Sequence, residues 1–565
     1  MRVRRVEIER FRGIRSLDWR FIGDTACLVG PGDTGKSTIL DALERVLSPR
    51  WNYPFDDGDF YDLETYAPVS IRATVVDFPP SFFKESKFGL ALQAYDPKAG
   101  TATTPTGVDD EVFAVVIELT VDRSLEPQWR IIDAKGEGHP IHIRDREALG
   151  MLRVGSNIDL HLGWNRGSVL TRVTESGDEV AAVIADAMRK ARAGLAVGDL
   201  DRLNDAASKA EQLGKDMGAL IRTGLTPHLD IGPLSGGSLS LHDGKVPLRR
   251  AGLGTRRLMA VAMQHHAAGS SELTLVDEFE HGLEPHRIRQ LLRKLRGVSP
   301  ENADKKTGQL VLTTHTPLVL SELHPAEIAV VRRAANGVVV VVPVSDALHR
   351  VVSKTPGALV ARRVIVAEGP TEVGLLRAVE EAWSDDGSNF AYLGTAVVNG
   401  EGHCAPDIAG ALFDLGSSVA LFVDSDAAGT KLSRAKGAKV IAWRKGLATE
   451  NALASDLSDQ AFTAMVALAH RSPKVRHPAH RSMRDALAAA TGKKPSEVGD
   501  DLTAWLTNVP NFRLVFGAVA KKNKWFKTLA LGRDLGALVV EDWDNLAGTD
   551  VRSVLEALRV FAQRG

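Results

Sequence analysis

One glycine-rich loop constrains the fold of this chain more than any other stretch. The segment ACLVGPGDTGKSTILDALERVL holds Gly30, Gly35, Lys36 and Ser37 in the spacing G-x-x-x-x-G-K-S/T. An apolar strand pattern precedes the loop and an apolar-periodic helix pattern follows it, which is the context that a phosphate-binding loop requires. The glycines let backbone N–H groups surround a β-phosphate, and the dipole at the helix N-terminus attracts its negative charge. The sequence therefore predicts a nucleotide-binding α/β domain that takes ATP.

Acidic residues and a histidine follow two later apolar runs. ELTLVDEFEHGLEPHR places Asp277 and Glu278 after one run, and QLVLTTHTP places His315 after the next. We expect Ser37 to hold Mg²⁺ beside the phosphates, Asp277 to reach that ion through water, and Glu278 to position the water that attacks the γ-phosphate. An isolated histidine is usually structural or exposed. At this position, after the acidic strand, we expect His315 to sense the γ-phosphate.

Two glycine-containing segments compete for the role of the signature motif, which in ABC-type ATPases must open a helix. The letters LSGG occur at 234–237, but a strand-and-turn pattern follows them. The segment AGLGTRRLMAVAMQHH opens a helix pattern, because Gly252 and Gly254 free the backbone and Thr255 is a suitable cap. We therefore assign the signature to 251–255. The predicted nucleotide-binding residues are Gly30, Asp33, Thr34, Gly35, Lys36, Ser37, Thr38, Gly252, Gly254 and Asp277.

The intervening chain indicates the domain organisation. Between residues 69 and 173, the segments IRATVVDF, EVFAVVIELTVD, WRIIDA and IDLHLGW have strand patterns, and residues 178 to 225 are rich in Ala, Leu and Lys at helical spacing. We predict that residues 1–177 and 229–355 form the two parts of one ATPase domain. Residues 178–228 are predicted to be a helical insertion, either a dimerisation element or a surface hairpin. Residues 360–565 are predicted to form a second domain.

Carboxylates follow two apolar strand patterns in that second domain. VIVAEGPTE places Glu368 at a strand end and Glu372 one helical turn later, and ALFVDSDAAG places Asp424 and Asp426 two apart. Open α/β sheets carry their sites at the carboxyl ends of strands, so these side chains are expected to converge. Clustered carboxylates repel one another unless a hard divalent cation joins them, and Mg²⁺ or Mn²⁺ suits oxygen ligands. Either half alone is equally well interpreted as a strand end with solvated acids.

The two halves together resemble the Toprim domain, whose pattern is a strand with a Glu and later a strand with Asp-x-Asp. The order of phosphate loop, insert, signature, Asp-Glu strand and His strand is similar to the ABC-type ATPase heads of RecF and SMC proteins. Their fusion, which covers nearly the whole chain, resembles the OLD (overcoming-lysogenisation-defect) nuclease family. This resemblance implies an ABC-type (RecF/SMC-like) P-loop ATPase domain with a helical insertion, a Rossmann-like Toprim domain and a helical C-terminal region.

The same resemblance implies an activity and partners. OLD nucleases are homodimers or higher homo-oligomers, and their Toprim domain cuts DNA with two divalent metals beside an ATPase head. Bacterial members often serve in antiphage defence, so a partner protein of a defence system is also implied. The implied localisation is cytoplasmic.

The resemblance also assigns metal ligands. Glu368, Glu372 and Asp424 are implied to hold one ion, and Asp426 and a downstream acid the second. Glu450 in GLATENAL is our candidate for that acid, because it begins a predicted helix shortly after the Asp-x-Asp turn. A glutamate at a helix N-terminus also complements the helix dipole, and that interpretation stays open.

A lysine is implied to neutralise charge on the scissile phosphate. The segment KKNKWFKTLA offers four; we favour Lys527 and then Lys524, with a solvated basic face as the alternative. Between Ala461 and Asp534 the chain has 13 Lys and Arg against five Asp and Glu, a net charge of +8. Such a patch is the footprint of nucleic-acid binding. Trp505 and Trp525 either stack on bases or pack in the core.

Composition excludes several other classes. A formal net charge of −1 over 565 residues means that any nucleic-acid contact must come from local patches. Two cysteines are too few for a disulfide framework or a zinc site, and no apolar run is long enough to span a membrane. Two alternatives stay open: a RecF-like DNA-binding ATPase without nuclease activity, and a nuclease that acts on RNA. Topoisomerase and primase activities are disfavoured, because the chain has no placed catalytic tyrosine and no zinc-binding cysteines.

Overall fold

A computed structural model of the chain describes residues 1–50, 53–108, 111–154, 158–164, 168–170, 201–229, 239–268, 273–297, 308–384, 389–425, 432–444, 446–476, 482–493 and 509–564. The chain forms two compact units, Met1–Pro343 and Val344–Gly565. Residues 344–355, which the sequence prediction assigns to the ATPase part, group with the second unit. None of the described helices has the length and continuous apolar character needed to cross a bilayer.

The first unit is built mainly on one mixed sheet. The strands of this unit are β1 (Arg2–Phe11), β2 (Ile14–Arg20), β3 (Thr25–Val29), β4 (Val69–Val76), β5 (Gln93–Asp96), β6 (Thr101–Thr103), β7 (Val112–Val121), β8 (Pro127–Ile132), β9 (Gly138–Pro140), β10 (Met151–Val154), β11 (Leu225–Leu229), β12 (Leu239–Asp243), β13 (Val246–Pro247), β14 (Leu273–Val276), β15 (Gln309–Thr313), β16 (Ile328–Arg333) and β17 (Val338–Pro343). Its described helices are α1 (Lys36–Leu47), α2 (Ile143–Leu149), α3 (Ile158–His161), α4 (Asp201–Asp216), α5 (Leu253–Ala268), α6 (Pro285–Leu295) and α7 (Pro317–Ser321).

The order of strands explains where the nucleotide loops meet. The sheet runs β10-β14-β15-β3-β16-β17-β2-β1-β4-β7-β5-β6, with β8 beside β7 and β9 beside β8, and β11, β12 and β13 form a separate three-stranded sheet. From β10 to β16 the neighbours are parallel, and β14 and β15 are buried along their whole length, as parallel strands covered on both faces are. The loops after β3, β14 and β15 therefore emerge at one edge. The mixed α/β architecture of the ATPase part is confirmed.

Several local predictions can be compared with this unit. The prediction that IDLHLGW is a strand is wrong: it begins with the helix α3, whose contacts with α5 include a 2.7 Å ion pair between Asp159 and Arg256. Within the predicted insertion 178–228, α4 is helical, but the end of the segment forms β11, which pairs with β12. Residues 178–200 and the LSGG letters lie outside the described residues. The helix α5 begins at Leu253, inside the segment assigned as the signature.

The second unit is a parallel α/β sheet followed by helices. Its strands are β18 (Arg363–Ala367), β19 (Thr395–Asn399), β20 (Ser418–Val423) and β21 (Lys439–Ala442), in the order β19-β18-β20-β21 with all neighbours parallel. Its described helices are α8 (His349–Lys354), α9 (Pro370–Ala382), α10 (Ala405–Asp414), α11 (Thr449–Asp456), α12 (Asp459–Ala469), α13 (Pro473–Arg476), α14 (Met483–Thr491), α15 (Phe512–Lys522), α16 (Leu529–Glu541) and α17 (Asp550–Arg564).

One apolar core joins this sheet to the C-terminal helices. Phe422 of β20, Trp443 directly after β21 and Phe516 of α15 belong to the same buried cluster. Trp525 is 1% exposed in that cluster, so it packs in the core and cannot stack on a base. Trp505 lies outside the described residues.

Glycines allow the C-terminal helices to approach the sheet layer closely. A Cβ on Gly532 of α16 would lie 2.3 Å from the carbonyl oxygen of Thr371 in α9, and one on Gly374 would lie 2.3 Å from the Leu529 oxygen. A Cβ on Gly517 of α15 would lie 2.7 Å from the Cα of Asn451 in α11. No larger residue fits these three contacts without moving a helix.

Candidate functional sites

The phosphate loop joins the end of β3 to α1. Gly30 and Gly35 have φ values of 146° and 96°, which L side chains rarely adopt, and Asp33 has a φ of 59°. A Cβ on Gly30 would lie 2.5 Å from the Val331 carbonyl oxygen, so the loop is held against β16. Thr34 is buried and donates a 3.0 Å hydrogen bond to the carbonyl of Pro31 within the loop. Thr38 follows on the first turn of α1.

The lysine of this loop is preorganised by the loop itself. Lys36 is buried, and its Nζ donates hydrogen bonds to the carbonyls of Gly30 at 3.1 Å and Pro31 at 2.7 Å. Burial lowers the pKa of Lys36 below its ordinary value, although Asp277 and Asp33 act in the opposite direction. The side chain is thus held at the loop rather than extended into solvent.

The residues predicted to bind Mg²⁺ lie together. Ser37 Oγ donates a 3.1 Å hydrogen bond to Asp277 Oδ1, and Thr313 Oγ1 donates to the same oxygen. The other oxygen, Oδ2, lies 3.3 Å from a guanidinium nitrogen of Arg153 on β10, which also pairs with Asp41 of α1 at 3.0 Å. Sequence reasoning missed Arg153, because nothing local to β10 signals that its neighbour in the sheet is the acidic strand.

Glu278 and His315 face the same edge, and a third residue connects their loops. Glu278 has a φ of 45°, and its backbone N–H donates to Thr313 Oγ1 at 2.8 Å. The carboxylate of Glu280 accepts a 2.6 Å hydrogen bond from Thr314 Oγ1 and a 2.7 Å hydrogen bond from the His315 backbone N–H. Glu280 therefore fixes the backbone that presents the histidine. The available signal for it was a third acid in the segment DEFEHG, after Asp277 and Glu278.

The predicted signature glycines differ in what surrounds them. A Cβ on Gly254 would lie 2.5 Å from the Gly282 carbonyl oxygen, whereas nothing lies within 4 Å of a Cβ on Gly252. One turn along α5, Arg257 is buried and donates hydrogen bonds to the carbonyls of Asp277 and Glu278, at 2.8 and 2.9 Å. The helix that follows the signature is thus bonded directly to the acidic loop.

The carboxylates of the second unit converge at the carboxyl ends of β18 and β20. Glu368 follows β18, Glu372 lies on the first turn of α9, and Asp424 follows β20. The backbone N–H of Asp424 donates to Glu368 Oε2 at 2.9 Å. Asp426 lies outside the described residues, so its place in the group stays a prediction.

A threonine joins these acids to α11. Thr449 Oγ1 lies 2.8 Å from Glu372 Oε1 and 3.1 Å from Asp424 Oδ1, and its backbone N–H donates to Asp424 Oδ1 at 2.9 Å. Glu450, the next residue, is fully buried. Sequence reasoning missed Thr449, although it found Glu450.

Several oxygens of this acidic group are buried without a donor. Within the described residues, Glu372 Oε2, Asp424 Oδ2 and both carboxylate oxygens of Glu450 accept no hydrogen bond. Burial, and then repulsion from Glu372, Glu368 and Glu450, raises the pKa of Asp424 to about 7. Burial likewise raises the pKa of Glu450 and of Glu368 above their ordinary values.

Two lysines face these acids. Lys527 Nζ lies 3.8 Å from Glu372 Oε1, and Lys521 Nζ lies 3.6 Å from Asp424 Oδ2. Burial opposes a charge on Lys527, but the surrounding carboxylates outweigh it, so its pKa is raised above the ordinary value. Lys524, with a φ of 56°, is exposed and lies on the rim of a cavity beside Glu368.

A buried hydrogen bond fixes the position of the favoured lysine. Thr371 Oγ1 on α9 donates to the carbonyl of Phe526 at 3.0 Å, one residue before Lys527. The close approach at Gly532 and Gly374 brings the start of α16 to the same helix. These contacts hold Lys527 over the acids. They join residues that are far apart in the chain, since Thr371 and Phe526 are separated by 155 positions.

The acids do not form a finished coordination sphere. Among the described residues, no three His, Cys, Asp or Glu side chains are grouped so that they could hold a metal ion as they stand. The buried oxygens without donors nevertheless fit a hard divalent cation, because carboxylate oxygens are its preferred ligands and a cation would offset their mutual repulsion.

Two family models match parts of the chain. Residues 146–321 match a family described as "AAA domain, putative AbiEii toxin, Type IV TA system". Residues 1–88 match a family described as "Protein of unknown function (DUF2813)". The first match includes the acidic loop after β14 and the histidine loop after β15. Together with the phosphate loop, it identifies the first unit as an ATPase-type domain, a class that binds ATP with Mg²⁺ and hydrolyses it.

Other comparisons add little. No curated protein matches the chain. A solved structure described as "Crystal structure of the SmcHead bound to the C-winged helix domain of ScpA" is similar over 61% of this chain and 98% of that chain, with 15% sequence identity and a TM-score of 0.35. A similarity at this level carries no inference about activity.

Proposed function

We propose that this ATPase is also a divalent-metal-dependent endonuclease that cuts phosphodiester bonds of DNA in its second unit. The observation that carries the proposal is the group of buried acids at the carboxyl ends of β18 and β20, with a lysine held over it. A structural role alone gives no reason to bury several carboxylate oxygens without donors, since each costs free energy of folding. Clusters of buried carboxylates with shifted pKa values are typical of catalytic and metal-binding sites.

In this proposal the acids hold the metal and the lysine receives the substrate. Glu368, Glu372, Asp424 and Glu450 would hold Mg²⁺ or Mn²⁺, and Asp426 would complete a two-ion site. When bound, the ions supply Lewis-acid activation of water and stabilisation of the leaving oxygen. Lys527 would neutralise charge that develops on the scissile phosphate.

The ATPase unit would control this activity. We propose that ATP bound at Lys36 and Ser37, with Asp277, Glu278 and His315 around its γ-phosphate, changes access to the acids. The resemblance to OLD nucleases supports a homo-oligomer and a role in antiphage defence with a partner protein.

The test is a cleavage assay with supercoiled and linear DNA, in Mg²⁺ or Mn²⁺, with and without ATP. Wild type should cut, Asp424→Ala should not, and Lys36→Ala should cut to an extent that no longer depends on ATP. Asp407→Ala is the matched control, because Asp407 is an acid of the same unit with a surface ion pair to Arg434. If Asp424→Ala cuts as well as Asp407→Ala, the nuclease assignment fails.

A second candidate function is supported by the unfinished coordination sphere. A RecF-like ATPase that binds DNA without cutting it would hydrolyse ATP and leave DNA intact under every metal tested. A nuclease that acts on RNA is the other alternative, and RNA substrates in the same assay distinguish it, because metal-dependent phosphodiester chemistry does not itself select the sugar.

A further inference from the structure

Three lysines are among the residues that line a cavity beside Glu368 in the second unit. The cavity has a volume of about 520 Å³, and its lining includes Lys354, Glu368, Asn399, Glu401, Lys524 and Lys527. Lys354 ends α8, and Lys524 and Lys527 lie between α15 and α16. Two separate elements thus place lysines at the opening to the acidic group.

The carboxylate of Glu401 holds one of these lysines together with a second cation of α8. Lys354 Nζ lies 2.6 Å from Glu401 Oε1, and Arg350, one turn earlier on α8, pairs with Oε2 of the same residue. The two basic side chains are 62% and 64% exposed, whereas Glu401 is 16% exposed. Arg350, Lys354 and Glu401 together form a cationic rim. Its two positive charges and one negative charge leave a net positive charge in contact with solvent.

The loop that carries Glu401 is bonded to the acidic site. Glu401 has a φ of 56°, in the left-handed region, and its N–H donates to Asn399 Oδ1 at 2.9 Å. The N–H of Gly402 donates to the carbonyl of Glu368 at 2.6 Å. A strained non-glycine residue persists only where surrounding contacts hold it. The position of the cationic rim is therefore tied to the strand end that carries Glu368.

We infer that Arg350 and Lys354, together with Lys524, bind the phosphates that flank the reacting phosphate of a nucleic-acid strand. A polymer fits better than a single phosphate, because Arg350 and Lys354 meet at Glu401, whereas Lys524 comes from a separate element between α15 and α16. Glu401 holds the two α8 side chains beside each other, and charge-assisted bonds to phosphate replace those to Glu401 when a strand enters. The identity of the substrate rests on the proposed function.

The test measures how binding depends on salt. Labelled single-stranded DNA and RNA oligonucleotides are titrated with full-length protein in Ca²⁺, at several KCl concentrations. Loss of one phosphate contact lowers the slope of log Kobs against log salt by about 0.7 for a single strand, which is about fivefold in affinity near 0.1 M salt. We expect Lys354→Gln and Arg350→Gln each to show this lower slope and this fivefold loss of affinity. Lys354→Arg should have the slope and affinity of wild type.

Lys439→Gln is the matched control, because Lys439 is exposed but lies at the amino end of β21. The inference is overturned if Lys354→Gln and Arg350→Gln keep the slope of Lys439→Gln, or if wild type binds neither oligonucleotide. If wild type binds strands but never cuts them, and the rim variants lower the slope, the proposed nuclease activity is contradicted and phosphate binding by the rim is supported. Wild type that cuts, with slopes unchanged by both rim variants, contradicts the rim alone. The oligonucleotide that binds with the higher affinity shows whether the rim prefers DNA or RNA.

Discussion

Replacement of Asp424 by asparagine should stabilise the metal-free protein while it abolishes cleavage. The pKa of Asp424 is raised from 3.8 to about 7, because the group is buried beside Glu372, Glu368 and Glu450. That difference corresponds to about 4 kcal/mol of unfavourable free energy for the charged form. Asparagine keeps the Oδ1 acceptor for the two hydrogen bonds from Thr449 but carries no charge.

The sign of the pH dependence follows from the direction of the shift. Because the folded chain binds this proton more tightly than the unfolded chain, wild type loses stability as the pH rises from about 4 to about 7. Asp424→Asn lacks this loss. In EDTA at pH 8, the free energy of unfolding of the variant should exceed that of wild type by up to about 4 kcal/mol, and at pH 4 the two should nearly coincide.

Calorimetry or urea denaturation in EDTA, followed on the transition of the second unit, measures this difference. Asp407→Asn serves as the control and should change stability by less than about 0.5 kcal/mol, as exposed substitutions usually do. Mg²⁺ should then raise the unfolding temperature of wild type and not that of Asp424→Asn. A variant that is less stable than wild type in EDTA at pH 8 would refute the argument that charge repulsion strains this site.

Three further predictions concern other parts of the chain. Glu280→Gln should lower kcat for ATP hydrolysis roughly tenfold with little change in KM, because it acts by positioning, whereas the exposed Glu284→Gln should not. Gly532→Val should destabilise the second unit by about 3 kcal/mol or more and lower cleavage, because a Cβ there would lie 2.3 Å from a backbone oxygen; Ala530→Val, exposed on the same helix, is the control in thermal denaturation. Mg²⁺ affinity of the second unit, measured by calorimetric titration, should fall as the pH drops from 8 to 6, because Asp424 must lose its proton to bind.

Local patterns were sufficient for the parts of this protein whose geometry is itself local. A strand, a glycine-rich turn and a helix in succession specify the phosphate loop, because the positive φ values at Gly30 and Gly35 and the start of α1 all lie within one short segment. The same holds for Glu368 and Asp424, each of which follows a strand end that the apolar pattern already marks, and for Glu372, which lies on the helix that directly follows the first of these strands. Parallel strands then bring these ends to one edge.

Only the tertiary structure decided which more distant groups join these sites. Arg153 reaches Asp277 because β10 pairs with β14, and Lys527 faces the acids because Thr371 bonds to Phe526 across a separation of 155 residues. The segment IDLHLGW has an alternating pattern, yet packing of α3 against α5 makes its first turn helical. Sequence periodicity indicates which face of a helix or strand is buried, but it does not indicate which element packs against that face. The packing partner determines which lysine, arginine or threonine reaches each site.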